Sequence, residues 1–161
     1  MAEQKQRIMP AHEAIDGRHG KAYATIKGKR YLLFQLKNFD TKTEKNNIEI
    51  QRLGTTVAGN LSSGIKMGWE AEMYYNTDIF RALVLDYIKS GKETYFDLQI
   101  TNDDPNSSAG RHTVILRDCK INNMSMALLN VDNQVLSEKV DGTCEDIDAP
   151  ELFNVLKGME D

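Results

Sequence analysis

The sequence predicts a mainly β fold, an antiparallel β-sandwich or barrel with one packed α-helix and a long projecting hairpin. Three observations support this class. Apolar and polar residues alternate over Ile65–Tyr75, which is the period of a strand with one buried and one wet face. A helical apolar stripe covers Ile79–Ile88 and ends before Gly91, which indicates a helix with a glycine stop. Clusters of Gly, Asn, Ser and Asp separate further alternating segments, as turns do.

The remaining elements follow in chain order. Lys21–Lys27 and Arg30–Leu36 flank Gly28-Lys29, which predicts a hairpin. A polar segment, Lys37–Gln51, leads to a Gly- and Ser-rich stretch, Leu53–Gly64, predicted to be a flexible loop or hairpin tip. After the helix, strands are predicted at 94–101, 111–122, 125–131 and 134–144.

Composition predicts a single soluble domain. The chain has 161 residues, of which 40% are apolar and 27% charged, enough for one core. Its formal charge of −4 gives no reason to bind nucleic acid tightly. The polar N-terminus predicts no secretory signal, and no apolar run reaches the roughly 18 residues that cross a bilayer. We expect an N-terminal arm over 1–20 that does not join the core by itself, a β domain over 21–147, and a C-terminal tail over 148–161.

The two strands of the projecting hairpin, about 42–51 and 65–75, are too long for a small closed barrel. Exposed edges of such a ribbon are a liability unless another strand pairs with them. A ring of identical copies is one solution, with Trp69 on the apolar core face and the polar faces lining a central channel. The predicted channel-lining residues are Lys45, Asn47, Glu49, Gln51, Lys66, Glu70 and Glu72.

No arrangement of residues predicts catalysis, a cofactor or a metal site. The chain lacks a phosphate-binding loop and a nucleophile elbow. Glu70 and Glu72 could act as paired carboxylates, but a solvated strand face is the favoured interpretation. Cys119 and Cys144 are predicted to be reduced thiols, since two distant cysteines without a signal peptide rarely form a disulfide. We therefore expect a protein that is not an enzyme.

Three segments, in this order, resemble phage tail tube proteins of contractile-tailed phages, defective prophages and phage-tail-like bacteriocins of Gram-positive bacteria. The first is Ile48–Tyr75, with Gly54, Gly59 and Gly64 between two alternating strands. The second is Thr77–Phe96, a helix followed by Gly91 and a strand. The third combines Leu129–Asp132 with the acidic Glu145–Glu151. The resemblance covers about residues 20 to 151.

This resemblance implies hexameric rings that stack into a tube with a continuous β-barrel lumen. It implies a contractile sheath outside, a tape measure protein inside during assembly, and baseplate and tail terminator proteins at the ends. DNA would be present only in transit, and no direct membrane insertion is expected. The protein would be made in the host bacterial cytoplasm and reside in a virion tail or a phage-tail-like particle. The candidate ring-stacking residues are Gly54, Thr55, Thr56, Gly59, Asn60, Ser62, Ser63 and Gly64.

Alternatives remain open at this point. A type VI secretion tube or a related injection system would use the same architecture. A lipocalin-like barrel for a small ligand is less favoured, because the Lys66–Glu72 face is polar and such a barrel needs a closed apolar cavity. A genome-carrying phage and a bacteriocin would both use the same tube.

Overall fold

The computed structural model describes residues 6–160 and confirms the mainly β class with one α-helix. A short 3₁₀ helix, Ala11–Glu13, precedes the sheet. The strands and the helix are β1 Gly20–Ile26, β2 Lys29–Leu32, β3 Leu36–Ile50, β4 Gly59–Tyr74, α1 Arg81–Ser90, β5 Phe96–Asp103, β6 Arg111–Met124, β7 Ser137–Thr143 and β8 Asp146–Glu151. The chain divides into two compact units, one of residues up to 34, 96–117 and 147 onward, the other of residues 35–95 and 118–146.

The first unit is a sheet in the order β2-β1-β5-β6, in which β8 also pairs with β6. The predicted β1–β2 hairpin is present, with Ile26 opposite Lys29. Its turn is Lys27-Gly28, one residue earlier than predicted, and both residues have positive φ, 50° and 79°. Two left-handed residues match the twist of a tight hairpin, and this requirement fixes the position of the turn. The buried apolar residues of this unit include Ala24, Leu98 and Leu116.

The second unit contains a sheet in the order β6-β7-β4-β3 together with α1. Met73, Val140, Phe80 and Leu83 are among its buried residues. The predicted helix is confirmed, and it ends at Gly91, whose N–H donates to the carbonyl of Tyr87 at 2.9 Å with φ of 73°. Glycine adopts this left-handed conformation at low cost, so it terminates the helix.

The predicted apolar stripe of the helix is buried at one end alone. Phe80 and Leu83 are buried, whereas Tyr87 and Ile88 are exposed. The apolar period was therefore sufficient to predict the helix, but it did not predict how many turns of the helix are buried. Helical stability comes mainly from a packed apolar face, and in this subunit that face spans the first turns.

Two predicted features of the C-terminal half were wrong. Residues 125–131 form no strand, and Leu129 and Val131 are 99% and 98% exposed. The Asn130 side chain accepts a hydrogen bond from the Asp132 N–H at 3.0 Å, a local turn that competes with strand pairing. Conversely, a further strand, β8, follows the segment 134–144 that was predicted to be the last strand.

Residues 10–19, the N-terminal segment, pack within the first unit, in contrast to the predicted arm that does not join the core. Glu13 is only 8% exposed. Its carboxylate accepts hydrogen bonds from the backbone N–H and the hydroxyl of Ser108. The N–H of Asp16 donates to the Asp104 carboxylate at 2.9 Å. Hydrogen bonds to charged acceptors are the stronger kind, so these polar contacts help to hold the segment.

Acidification is expected to release the N-terminal segment. The hydrogen bonds from Ser108 hold the pKa of Glu13 below its ordinary value, and the N–H of Asp16 does the same for the pKa of Asp104. A carboxyl with a lowered folded-state pKa stabilises the fold above its unfolded pKa, and this contribution is lost as pH falls through the folded pKa. Hydrogen exchange of residues 14–19, corrected for intrinsic rates, should therefore lose protection in acid.

A Glu13→Gln variant supplies the control. Its side chain keeps the shape but cannot ionise, so the segment should exchange faster than wild type at neutral pH and depend less on acidity. Equal protection in both proteins at every pH would contradict this account.

Candidate functional site: the β3–β4 hairpin

The longest paired element is the hairpin of β3 and β4, with 15 and 16 residues. Its tip is shorter than predicted, because β4 begins at Gly59, which lies opposite Ile50. Of the predicted tip residues, Gly54, Thr55 and Thr56 lie in the turn, while Gly59, Asn60, Ser62, Ser63 and Gly64 lie in the strand. Cross-strand pairing satisfies backbone hydrogen-bonding groups that a loop would leave to water, which outweighs the low strand propensity of Gly and Ser.

The buried face of β4 is as predicted from its alternation. Trp69, Ala71 and Met73 are buried. Phe39 of β3 stacks against Trp69, with ring centroids 6.1 Å apart and an angle of 8° between the rings. This face therefore belongs to the core of the second unit.

The opposite face of the sheet, which we call the polar face, carries Glu70 and its cross-strand neighbours. Directly opposed residues on antiparallel strands share a face, and Glu70 lies opposite Asp40 on β3 and Asp141 on β7. Lys42 bridges two of these carboxylates, with its Nζ 3.4 Å from Asp40 and 3.8 Å from Glu70. The Asn123 amide donates to Asp141 at 2.9 Å. Like charges in one row repel, and these partners offset the repulsion.

The register separates the predicted channel residues into two groups. Lys45 lies opposite Ile65, and Glu44 lies opposite Lys66. The side of the sheet that carries Trp69 therefore also carries Lys45, Asn47 and Glu49 of β3. These three residues do not lie on the polar face with Lys66, Glu70 and Glu72. Gln51 lies beyond the end of β3. Each strand's alternation is visible in the sequence, but a shift of one residue between strands exchanges the faces. The seven predicted channel residues thus do not share one face of the sheet, and their place in a channel stays a prediction.

A β-bulge separates the charged base of the hairpin from its more apolar tip. Asn46 pairs with Gly64 and Asn47 with Ser62, so Ser63 has no opposite residue. Beyond the bulge, Ile48 lies opposite Leu61, and both side chains are exposed. Along β3, the side that is charged near the base of the hairpin is therefore apolar near the tip.

A buried ion pair that sequence patterns did not indicate joins α1 to β7. The Arg81 guanidinium donates to both carboxylate oxygens of Glu138, at 2.6 and 3.3 Å. It also donates to the carbonyls of Ser125 at 2.8 Å and Thr77 at 3.0 Å, and to Asp78 at 2.7 Å. The hydrogen bonds and charges of Glu138 first, and of Asp78 second, raise the pKa of Arg81. The two partners are far apart in sequence, and only the fold brings them together.

The two faces of β4 should differ in how they tolerate a substitution that changes the charge. Trp69→Asp should prevent folding, because it removes a large buried side chain and adds a carboxylate in the core. Glu72→Lys should leave the fold intact, because this side chain is part-exposed and its ion pair with Lys37, at 3.5 Å, is a weak surface contact. Circular dichroism and thermal melts measure both. A folded Trp69→Asp protein together with an unfolded Glu72→Lys protein would contradict the face assignment.

In residues 6–160, no group of three or more His, Cys, Asp or Glu side chains is arranged to hold a metal ion. No helix among these residues is long and apolar enough to span a membrane. A cleft of the first unit, about 770 Å³, is open to solvent and lined by residues such as Arg30, Tyr23, Thr101 and Arg111. Arg111 already pairs there with Asp103 and Glu151.

The fold is a β-sheet subunit with a long hairpin at the edge of a sheet, and such an edge can pair with a further strand. The chain belongs to the phage tail tube protein family, whose sequence model matches residues 7–151. It is 36% identical over 141 residues to the phage-like element PBSX protein XkdM of Bacillus subtilis (strain 168), covering 83% of this chain and 96% of the relative. The predicted family is thereby confirmed, and the protein is a structural subunit of the tail tube in a virion or a tail-like particle.

Two solved structures share the fold at low sequence identity. A chain of the anti-feeding prophage baseplate, determined by six-fold symmetrised cryo-electron microscopy, gives a TM-score of 0.63 at 11% identity, covering 89% of this chain and 97% of that chain. The tail tube of SPP1 gives a TM-score of 0.61 at 10% identity, covering 84% of this chain and 78% of that chain.

Proposed function

We propose that copies of this chain close into hexameric rings through the β3 edge, and that stacked rings form the inner tube of a contractile tail. The unpaired edge of β3 carries this proposal. Among the described residues β3 ends its sheet and pairs with β4, so one row of backbone groups along 15 residues is available to a further strand. An edge strand of the neighbouring copy would pair with it. The six-fold symmetry of the anti-feeding prophage structure supports six copies.

The polar face lines the channel in this proposal. Lys66, Glu70 and Glu72 keep the predicted role, and Asp40 and Lys42 replace the predicted residues of β3. Acids and lysines alternate on this face, so it presents no continuous cationic track. Basic surfaces hold DNA through its phosphates, and a wall of mixed charge would let a nucleic acid or a tape measure protein pass without binding.

The tip of the hairpin would contact the next ring. Leu53 is fully exposed, and Val57, Ile48 and Leu61 are also exposed. Apolar side chains grouped in this way mark a surface that another protein covers. The predicted stacking residues, Gly54 to Thr56 in the turn and Gly59 to Gly64 in β4, surround these apolar contacts and would permit close approach of two backbones.

The other partners follow from the same assembly. A sheath protein would surround the tube, a tape measure protein would occupy it during assembly, and baseplate and tail terminator proteins would close its ends. The subunit would perform no catalysis, since the assembled channel is the functional object. The tube would serve DNA delivery or, in a bacteriocin, membrane penetration.

Negative-stain microscopy of the concentrated protein tests ring formation. Rings or tubes with a central hole are expected, and a strictly monomeric protein at every concentration would overturn the proposal.

A Glu70→Cys variant then tests whether Glu70 lies on the channel wall. In tubes its thiol should react with a small maleimide but not with a maleimide carried on a protein wider than the channel. Unassembled subunits, which serve as the control, should react with both. Equal reaction of the tubes with both reagents would place Glu70 outside the channel.

A further inference from the structure

Cys119 and Cys144 face each other at the junction of β6 and β7. The ladder pairs Ile121 with Gly142 and Lys120 with Thr143, where β7 ends. The same register continued by one residue would place Cys119 opposite Cys144. The two side chains are buried, at 0% and 6% exposure, and neither forms a disulfide. Cys119 lies near enough to Cys144 to oppose, by hydrogen bonding, the rise that burial causes in the pKa of the Cys144 thiol. The fold therefore brings together two thiols that the sequence alone left unrelated.

We propose that Cys119 and Cys144 are a latent disulfide, which closes by exchange with a small-molecule disulfide after the tail particle leaves the reducing cytosol. Directly opposed residues of an antiparallel pair have Cβ atoms about 4.5–5.5 Å apart, and a disulfide needs about 3.5–4.5 Å. The pair is thus within reach of a bond after a small shift. Reducing conditions maintain thiols during synthesis, and oxidising conditions outside the cell favour the bond.

The exchange balances in two steps. One cysteine thiolate attacks a sulfur of the small disulfide, forms a mixed disulfide and releases one small thiolate, which takes up the proton the cysteine lost. The second cysteine thiolate then attacks the protein sulfur of the mixed disulfide and releases the second small thiol in the same way. The two cysteines are oxidised, and the small disulfide is reduced to two thiols.

The surroundings of the pair make this reaction slow. Burial, with a contribution from the Asp146 carboxylate, raises the pKa of the Cys144 thiol. Because the thiolate is the attacking species, few molecules react until the site opens. A slow reaction leaves time for folding and assembly before the bond forms. Once closed, the bond ties β6 to the end of β7 and restricts the unfolded chain, which stabilises the fold.

The test uses the full chain, folded and purified under reducing conditions, and oxidised glutathione as the reagent. Prolonged incubation below the unfolding temperature should remove both thiols together, as titrated after denaturation. The intact mass should fall by about 2 Da, the two lost hydrogens, and Tm should rise by about 5–10 °C. Dithiothreitol should restore the original mass and Tm. Persistence of both thiols, a stable adduct with one glutathione, or a lower Tm after closure would overturn the proposal.

Single variants separate the bond from other effects of oxidation. Cys119→Ala and Cys144→Ala each retain one thiol, so neither should lose mass or gain Tm on treatment. The same gain of Tm in a single variant would show that another reaction stabilises the protein. If a variant does not fold, the reversible change of the wild type with dithiothreitol decides the question by itself.

Discussion

Replacing Glu138 with alanine is expected to lower the free energy of unfolding by about 3–5 kcal/mol, because it removes the buried carboxylate from the Arg81 guanidinium and leaves the exposed carboxylate of Asp78. The Glu138 side chain is fully buried and that of Arg81 is 8% exposed. A cation in such a place depends on paired oxygens to compensate for lost water. Chemical denaturation of unassembled subunits measures the effect.

Asp78→Ala is the matched control, since Asp78 contacts the same guanidinium at 2.7 Å but its side chain is 82% exposed. The Asp78 carboxylate stays largely in water, and pairs that involve an exposed group contribute about 1 kcal/mol or less. This variant should therefore lose much less stability than Glu138→Ala. A double variant, Arg81→Met with Glu138→Leu, should recover much of the loss, because apolar pairs often replace buried ion pairs without penalty. Equal losses for Glu138→Ala and Asp78→Ala would contradict the role assigned to burial.

The fold class was predictable because its signals are local. The alternation that ends in Trp69, Ala71 and Met73 gave the buried face of β4 correctly, and the glycine at position 91 gave the end of the helix. Local signals do not include the partner of a strand. The face shared by Lys66, Glu70 and Glu72 was found, but the residues opposite them were not, because register depends on the tip and the bulge at Ser63.

Contacts between polar residues that are distant in sequence could not be predicted, for a different reason. Glu13 appeared to belong to a polar arm, yet its carboxylate binds the Ser108 hydroxyl and N–H. Arg81 lay in a helix pattern and Glu138 in a strand pattern, with no sign that they meet. An isolated charge in a sequence is usually solvated, and only the fold identifies the few that are buried with a partner.

The second large effect is expected at Gly142. A Cβ atom placed there would overlap the carbonyl oxygen of Lys120 and lie 3.0 Å from Cε2 of Trp69. The oxygen is a backbone atom of β6, held by the same ladder that pairs Ile121 with Gly142. It cannot move without breaking that pairing. Gly142→Ala should therefore destabilise the subunit by at least about 3 kcal/mol, at the upper end of the cost of overpacking.

Gly68→Ala provides the comparison in the adjacent strand. Its added Cβ would meet the carbonyl oxygen of Gly142 at 3.4 Å, so neighbouring atoms need to shift by little. Alanine also loses less backbone entropy on folding than glycine, by about 0.5–1 kcal/mol, and this variant should unfold at or above the wild-type midpoint. Denaturation midpoints of the two variants should therefore move in opposite directions or by very different amounts. Equal unfolding midpoints for the two variants would contradict this account. They would mean that the Lys120 carbonyl and the Trp69 ring leave room for a methyl group at position 142.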